Sequence, residues 1–224
     1  MAELNDRSER SFNGRGASLS GESPFAPLLQ PKAEQLAAAL RRQYLLSPCD
    51  RHCVRLTGRM ARIWHRPRWI RPLLRLLSSW AILVPDSGSD ILAEMLVTAG
   101  RDRAGRPCHV WQRRFIFERR QRIFRAVIVY DPERRTVVER LGPRGVVQVP
   151  WRVQVMPAGE LRIESDGIWL GKFRLPRAFS AEVIATEKAV DAQSIRIELA
   201  VIHRFLGPVF GYEGHFEESV EPLA

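Results

Sequence analysis

From about residue 54 onward, apolar and polar side chains alternate along the sequence with a period of two. Val54, Leu56 and Met60 share one face of a first segment, and Met95 and Val97 share one face of a second. Successive side chains of a β-strand point to opposite sides, so this period predicts strands with one buried face. The alternation therefore limits the greater part of the chain to a β-rich fold.

Further strands are predicted over much of the remaining sequence, joined by short turns. The predicted ranges are 109–117, 123–130, 136–141, 146–155, 160–165, 168–175, 181–189 and 194–204. Asp131-Pro132 and Asp166-Gly167 are turn-forming pairs at two of the links. Short links favour antiparallel pairing, because parallel neighbours need a crossover of about a dozen residues or more. We therefore expect a curved antiparallel meander that stays open or closes into a barrel.

Helical periodicity is found at two places beside the predicted strands. In residues 31–44, Leu36, Leu40 and Tyr44 repeat at four-residue spacing among alanines. Residues 70–79 carry a second helical pattern, with a proline in its first turn. We therefore predict an α+β fold, mostly β, in which a curved antiparallel meander sheet or barrel packs on one or two helices.

The first 31 residues differ from the rest of the chain in composition. Residues 1–31 are rich in Ser, Gly, Asn and Arg, and they lack periodic apolar side chains. Such a segment buries too little apolar surface to offset the entropy that is lost when it becomes ordered. The predicted organisation is a disordered tail at 1–31, followed by a single domain at 32–224.

Charge is unevenly distributed along the chain, whose formal net charge is +10. Residues 41–75 contain ten arginines and one acid, and residues 101–125 contain nine arginines and two acids. Residues 161–224 carry seven basic and ten acidic side chains. This asymmetry predicts a basic side suited to an anionic membrane surface or an acidic partner. An arginine content that follows genomic base composition explains it equally well.

No segment of the sequence has the length and composition of a membrane span. A span needs roughly 18 to 20 apolar residues, and the longest candidate, Ile70 to Val84, is interrupted by Arg71, Pro72 and Arg75. The N-terminus also lacks the apolar core of a secretory signal. We expect a cytoplasmic protein, with peripheral attachment at the inner membrane as the alternative.

Three cysteines, Cys49, Cys53 and Cys108, are too few for a disulfide framework. Together with His52 and His109, they offer ligand types that zinc accepts. These ligands would have to be assembled from distant segments, whereas structural zinc sites usually pair two short clusters. We therefore predict no metal site and no cofactor.

Residues 64–84 combine aromatic, basic and apolar side chains. Residues 64–71 mix tryptophans with arginines, as single-stranded nucleic-acid platforms and membrane-surface segments do. Residues 73–84 are apolar on almost all sides, which favours a buried helix over a membrane or partner contact. None of the common nucleic-acid fingerprints is present, so binding to nucleic acid is not predicted.

Two residues qualify as acid or base catalysts, Glu139 and His203. Glu139 has apolar neighbours, which would raise the pKa of its carboxyl, but an ion pair with Arg113 or Arg140 would keep it ionised. We favour the ion pair. His203 precedes a glycine-containing segment at 205–214, and a structural hydrogen bond explains this histidine as well as proton transfer does. No helix follows that segment, as a phosphate loop would require, so we interpret its glycines as sites of close strand approach.

Three short motifs lie between Trp111 and Gly214. They are Trp111, Arg113 and Phe115 in a W-x-R-x-F element, Glu139, Gly142 and Pro143 in an E-x-x-G-P element, and Leu206-Gly207-Pro208 followed by Gly211-Tyr212-Glu213-Gly214. Together they resemble the uncharacterised bacterial family called domain of unknown function 4166, over roughly Leu46 to Phe216. The family favours a proline where this chain has Arg204-Phe205. The resemblance implies one coherent domain and assigns no activity.

These predictions together favour a non-catalytic binding domain. A curved antiparallel sheet with a helix over its mouth commonly encloses an apolar pocket for a lipid-like or other hydrophobic small molecule. The residues predicted to line this pocket are Trp111, Arg113, Glu139, Arg140, Trp151 and Tyr212. A solid core with an internal ion pair would give the same sequence pattern. The alternatives are a small-substrate enzyme using Glu139 or His203, and an adaptor that uses the basic side.

Overall fold

A computed structural model describes residues 22–66, 72, 84 and 86–223. Its helical elements are α1 (Ala26–Leu29), a 3₁₀ helix at Gln30–Gln35, α2 (Ala38–Tyr44) and a 3₁₀ turn at Pro143–Gly145. Its strands are β1 (His52–His65), β2 (Gly88–Arg101), β3 (Pro107–Phe117), β4 (Arg120–Asp131), β5 (Thr136–Leu141), β6 (Val147–Val155), β7 (Leu161–Ser165), β8 (Trp169–Leu170), β9 (Phe173–Arg174), β10 (Ala181–Ala189), β11 (Ser194–His203) and β12 (Gly207–Pro222).

Ten of the described strands close into an antiparallel barrel. Each strand from β1 to β7 pairs with the next one along the chain, then β7 pairs with β10, β10 with β11, and β11 with β12. Strand β12 pairs with β1 and closes the ring. The remaining strands, β8 and β9, form a small hairpin against the start of β6. The fold is mostly β, as predicted, and the predicted meander takes its closed form.

The alternation in the sequence separates the inner face of the wall from its outer face. On β1, Val54, Leu56 and Met60 are buried in one core, as predicted. Strand β1 runs continuously through Gly58. A bulge after Met60 shifts the phase of the strand by one residue, which brings Ile63 into the same core.

The segment from 22 to 46 packs across one end of the barrel. Phe25 is fully buried there, and its ring contacts Trp111 and Trp151 of the wall. The Ala37 amide donates to the carbonyl of Gly159 in the β6–β7 turn, at an N–O distance of 3.3 Å. These side-chain and backbone contacts join the segment to several strands of the wall. We call residues 22–46 the cap.

The predicted disordered tail extends too far along the chain. Residues 22–31 contain α1, and Phe25 and Leu29 are buried in the barrel core. These two apolar side chains anchor the segment, although the composition of residues 1–31 as a whole suggests disorder. Residues 1–21 lie outside the described residues, as does the predicted helix at 70–79 apart from Pro72.

The predicted helix at 31–44 is divided into two parts. Leu36 has φ of −72° and ψ of 138°, which is extended backbone. The chain leaves the helical path here because the next amide bonds to the β6–β7 turn. The apolar stripe is nevertheless correct, since Leu36, Leu40 and Tyr44 are all buried. No helix among the described residues is long and apolar enough to cross a membrane.

The longest described strand, β12, has no counterpart in the sequence-based predictions. Its glycines interrupt the alternation, and its second half contains Glu217, Glu218 and Glu221. At Gly214, an added Cβ would lie 2.9 Å from the Arg59 carbonyl oxygen of β1. The predicted close strand approach is therefore confirmed at Gly214, where it is part of the seam that closes the barrel, whereas nothing lies within 4 Å of a Cβ added at Gly207.

Candidate functional site

The barrel interior contains a cavity of about 120 Å³. Most of its wall is apolar, and side chains such as Phe124 of β4 and Val201 of β11 reach it from different sides of the barrel. Charged or hydroxyl-bearing side chains in this wall are Arg113, Glu139, Ser165, Glu187 and Tyr212. A mostly apolar space with a few polar groups is the usual composition of a small-molecule site.

Arg113 and Glu139 form an ion pair inside the barrel. They lie on β3 and β5, on either side of β4, and Arg113 Nη1 is 3.2 Å from Glu139 Oε1. Burial raises the pKa of the Glu139 carboxyl, and the Arg113 guanidinium opposes that rise. Burial alone would lower the pKa of Arg113, but the charge and hydrogen bond of Glu139, together with Tyr212 and Glu187, outweigh burial and the pKa is raised. The ion pair favoured from the sequence is present, and its partner is Arg113.

Glu187 of β10 is a second buried carboxylate in the cavity wall, and the sequence analysis did not identify it. It follows Val183 and Ala185 on the inward face of the strand. Burial raises the pKa of Glu187 to about 7, although Tyr44, Arg113 and Gln43 each act to lower it. The sequence did contain a signal for this residue, because Glu187 is a charged side chain on the apolar face of a predicted strand.

Helix α2 brings two polar side chains towards Glu187. Gln43 and Tyr44 are fully buried, and both lie close enough to lower the pKa of its carboxyl. Within the described residues, however, Glu187 Oε2, the Tyr44 hydroxyl and both amide atoms of Gln43 have no hydrogen-bond partner of ordinary geometry. Burial, followed by the charge of Glu187, raises the pKa of Tyr44. These atoms form a buried polar group with unused hydrogen-bonding capacity.

Aromatic rings surround this polar group, as the sequence predicts for Trp111, Trp151 and Tyr212. The ring centroids of Trp111 and Trp151 are 5.8 Å apart, and Tyr44 packs edge-on to Trp111 at 5.5 Å. The Arg113 guanidinium lies over the Trp111 ring, 5.1 Å from its centroid. Tyr212 lies on the same wall, on β12. Five of the six predicted pocket residues therefore line the cavity.

Arg140 is the predicted pocket residue that the structure places elsewhere. It follows Glu139 on β5, so its side chain points to the opposite face of the strand. Its guanidinium Nη1 lies 3.8 Å from Asp102 Oδ2 in the β2–β3 turn. The neighbouring Val138 also faces outwards, where it packs with Cys108 and Val129. Arg140 therefore belongs to the outer surface of the barrel.

The histidines of interest have structural hydrogen bonds. His203 is partly exposed at the end of β11, and its Nε2 lies 3.0 Å from the Ala178 carbonyl oxygen. His109 is fully buried beneath the cap, with Nε2 2.7 Å from the Leu46 carbonyl oxygen. Burial lowers the pKa of His109 to about 4, so the ring is neutral near pH 7.

The cysteines considered as metal ligands lie in separate surroundings. Cys49 is exposed, Cys53 is buried on β1, and Cys108 is buried in the outer-face cluster with Val129. In the part of the chain that the structure describes, no group of three or more His, Cys, Asp or Glu side chains is arranged to hold a metal ion.

These features define a closed, ten-stranded antiparallel barrel with a capped end, a small interior cavity and a buried charged cluster. The family model of the domain of unknown function DUF4166 matches residues 36–216, so the chain belongs to that family. The resemblance inferred from the motifs is therefore confirmed. A relative, the "Uncharacterized protein YndH" of Bacillus subtilis strain 168, is 26% identical over 197 residues, which cover 86% of this chain and 92% of the relative. No solved structure matches the chain.

Proposed function

We propose that this protein is a non-catalytic binding protein that holds a small, mostly apolar molecule inside its barrel. The observation that carries the proposal is the interior cavity, whose wall combines apolar strands with Arg113, Glu139 and Glu187. A solid core would leave no such space, because protein interiors normally pack to crystal-like density. Apolar walls supply affinity for a ligand, and a few polar groups orient it.

The volume of the cavity limits the size of its ligand. About 120 Å³ is close to an engineered cavity of about 150 Å³ that binds benzene. The ligand is therefore a compact molecule or the short tail of a longer one. A full-length acyl chain would require the barrel to widen.

The alternative, an enzyme that uses Glu139 or His203, has weaker support. Glu139 is held in an ion pair with Arg113. His203 lies at the end of β11 and bonds to a loop carbonyl, away from the cavity wall. A general base and its partner must reach the same substrate, and these two side chains do not share a site.

The binding proposal is tested by filling the cavity. Ala185 lines it, whereas the next residue, Thr186, points to the outer face of β10. Benzene, toluene and hexan-1-ol should raise the melting temperature of the wild type and of Thr186→Leu, and should have no effect on Ala185→Leu. Differential scanning calorimetry provides the measurement. The absence of a shift for every ligand, or equal shifts in both variants, would contradict the proposal.

A second function, attachment to an anionic membrane surface, is supported by an aromatic rim made of Phe173, Phe179 and Phe205. These side chains are 81%, 77% and 68% exposed. The bond between His203 and Ala178 holds together the two loops that carry Phe179 and Phe205. Basic side chains stand beside the rim: Lys172, Arg174, Arg177 and Arg204. Of these, Arg174 pairs with Asp166 at 3.3 Å. Aromatic rings near cations suit the interface of a membrane with anionic lipids.

The basic side that the sequence predicts in residues 41–75 and 101–125 has less free charge than its arginine count suggests. Arg55 pairs with Glu221 at 2.7 Å, and Arg114 pairs with Glu94 at 3.4 Å. Arg59 pairs with Asp90. The aromatic rim is therefore the better-supported candidate for contact with a membrane.

Sedimentation with lipid vesicles tests this second function. Vesicles containing phosphatidylglycerol should bind the wild type at low salt and release it at high salt, because the charge attraction is screened. Changing Phe173 and Phe205 to Ser should abolish binding. Ile123→Ser provides a matched control, since Ile123 is 50% exposed on β4. Binding that survives the rim changes, or that is equal on neutral vesicles, would contradict this function.

A further inference from the structure

We propose that the cavity selects small apolar molecules that carry an ammonium group, which binds Glu187, and that it excludes carboxylates. This inference rests on the proposed binding function and names the class of ligand. It follows from the charges in the cavity wall, from the unpaired polar atoms around Glu187, and from the position of the aromatic rings.

The first observation is the balance of charge in the wall. The charged residues that line the cavity are Arg113, Glu139 and Glu187. The guanidinium of Arg113 is already paired with Glu139 at 3.2 Å. When Glu187 is ionised, the wall therefore has one net negative charge. A ligand carboxylate would meet a second like charge and no unpaired cation in the wall, whereas an ammonium would neutralise the charge of Glu187.

The second observation is the unused hydrogen-bonding capacity beside Glu187. Among the described residues, Glu187 Oε2, the Tyr44 hydroxyl and the Gln43 amide oxygen have no hydrogen-bond partner of ordinary geometry. Tyr44 and Gln43 nevertheless lie near enough to lower the pKa of the Glu187 carboxyl. A primary ammonium has three N–H donors and no acceptor. It therefore matches a site that offers three unpaired oxygens. The Gln43 amide nitrogen is also unpaired, and it can donate to the carboxylate of Glu187 once that group is ionised.

The third observation is the arrangement of aromatic rings at the same end of the cavity. Tyr44 approaches both Glu187 and the ring of Trp111, whose centroid is 5.5 Å from its own. The face of Trp111 already carries the Arg113 guanidinium at 5.1 Å. This region therefore tolerates a positive charge, because aromatic faces attract cations.

Binding of an ammonium group should depend on the protonation of Glu187. The titratable and charged groups near Glu187 are Tyr44 from α2, Arg113 from β3 and Tyr212 from β12, and Arg113 is in turn paired with Glu139 of β5. Burial raises the pKa of Glu187 to about 7. At pH 6.5 an incoming ammonium should therefore displace a proton from Glu187, and the protein should release that proton to the buffer.

Three ligands of equal chain length provide the test: hexan-1-amine, hexan-1-ol and hexanoate. By titration calorimetry at pH 8, the amine should bind the wild type about tenfold more tightly than the alcohol, and hexanoate should not bind. Glu187→Gln should lose the tenfold preference and still bind the alcohol. Glu182→Gln, an exposed change on the same strand, should retain it.

Proton release is the second measurement, and it requires no variant. At pH 6.5, the observed heat of amine binding should change with the ionisation enthalpy of the buffer, and the heat of alcohol binding should not. Equal affinities for amine and alcohol, or tight binding of hexanoate, would overturn this inference and leave the binding function standing. If none of the three ligands binds, both proposals fail.

Discussion

Two buried residues, Glu187 and His109, have shifted pKa values. The two shifts make the free energy of unfolding depend on pH in opposite directions. The pKa of Glu187 rises from 4.5 to about 7, and that of His109 falls from 6.5 to about 4. Between pH 4.5 and 7 the folded protein keeps the Glu187 proton that the unfolded chain releases, so Glu187 makes the free energy of unfolding fall as pH rises. Below pH 6.5 the unfolded chain protonates His109 and the folded protein does not, so His109 makes the free energy of unfolding fall as pH falls.

Glu187→Gln should therefore change how stability depends on pH. Relative to the wild type, its free energy of unfolding should increase from pH 4.5 to pH 7.5, by on the order of 3 kcal/mol. His109→Gln should show the opposite trend, with its relative gain appearing as pH falls from 6.5 to 4. Urea denaturation at a series of pH values measures both. Parallel curves for the wild type and Glu187→Gln would contradict the burial of an ionisable carboxyl.

Gly58 shows how closely the barrel seam is packed. An added Cβ would lie 1.9 Å from the His215 carbonyl oxygen of β12, whereas at Gly100 of β2 nothing lies within 4 Å. Gly58→Ala should lower the free energy of unfolding by about 2–3 kcal/mol, because two paired backbones must move apart. Gly100→Ala should change it by no more than about 0.5 kcal/mol. Chemical denaturation distinguishes the two, and equal effects would show that the seam can adjust.

At the scale of elements, the cap formed by residues 22–46 depends on one aromatic side chain. Phe25 is fully buried and packs edge-on against Tyr44, with a centroid distance of 4.8 Å. The cap is also held by Arg42, whose Nη2 lies 2.5 Å from Glu218 Oε2. The cap matters for function because α2 carries Gln43 and Tyr44 to Glu187.

Phe25→Ala should destabilise the protein by about 3–5 kcal/mol, since it removes a large side chain from a filled core. Phe173→Ala is the matched control, because Phe173 is almost fully exposed, and it should have little effect on stability. Thermal unfolding followed by circular dichroism measures both. A neutral result for Phe25→Ala would agree with the disordered tail that the sequence predicts.

At the scale of the whole molecule, stability depends on pairing between the two ends of the sheet. Strand β12 pairs with β1 on one side and with β11 on the other. Its removal would leave both neighbours with unpaired edges and would open the cavity to solvent. The barrel should therefore unfold as one cooperative unit rather than strand by strand.

Truncation after Leu206, which removes β12, should abolish the cooperative unfolding transition and leave an aggregation-prone chain. Truncation after Pro222 removes two residues and should retain the transition, with only the loss of the bond between the Leu223 amide and the Arg51 carbonyl oxygen. Scanning calorimetry of both truncated chains tests the closure. A cooperative transition after the larger truncation would mean that β12 is dispensable.

The sequence by itself determined most of the strands, because period-two alternation and short turns depend on residues that are close along the chain. The range predicted at 181–189 matches β10, and that at 136–141 matches β5. The sequence also predicted the ion pair of Glu139 and five of the six residues that line the cavity.

Only the tertiary structure decided closure, the cap and the complete charged cluster. Strand β12 was not predicted because its glycines break the period-two alternation. Gly214 is needed there because β1 approaches closely. The burial of Phe25 was not predicted because this residue lies in a polar segment. Its burial depends on Trp111 and Trp151, which are far from it in the sequence. Glu187 meets Tyr44 only when the capped end forms. These contacts join residues far apart in the chain, so no local pattern in the sequence could specify them.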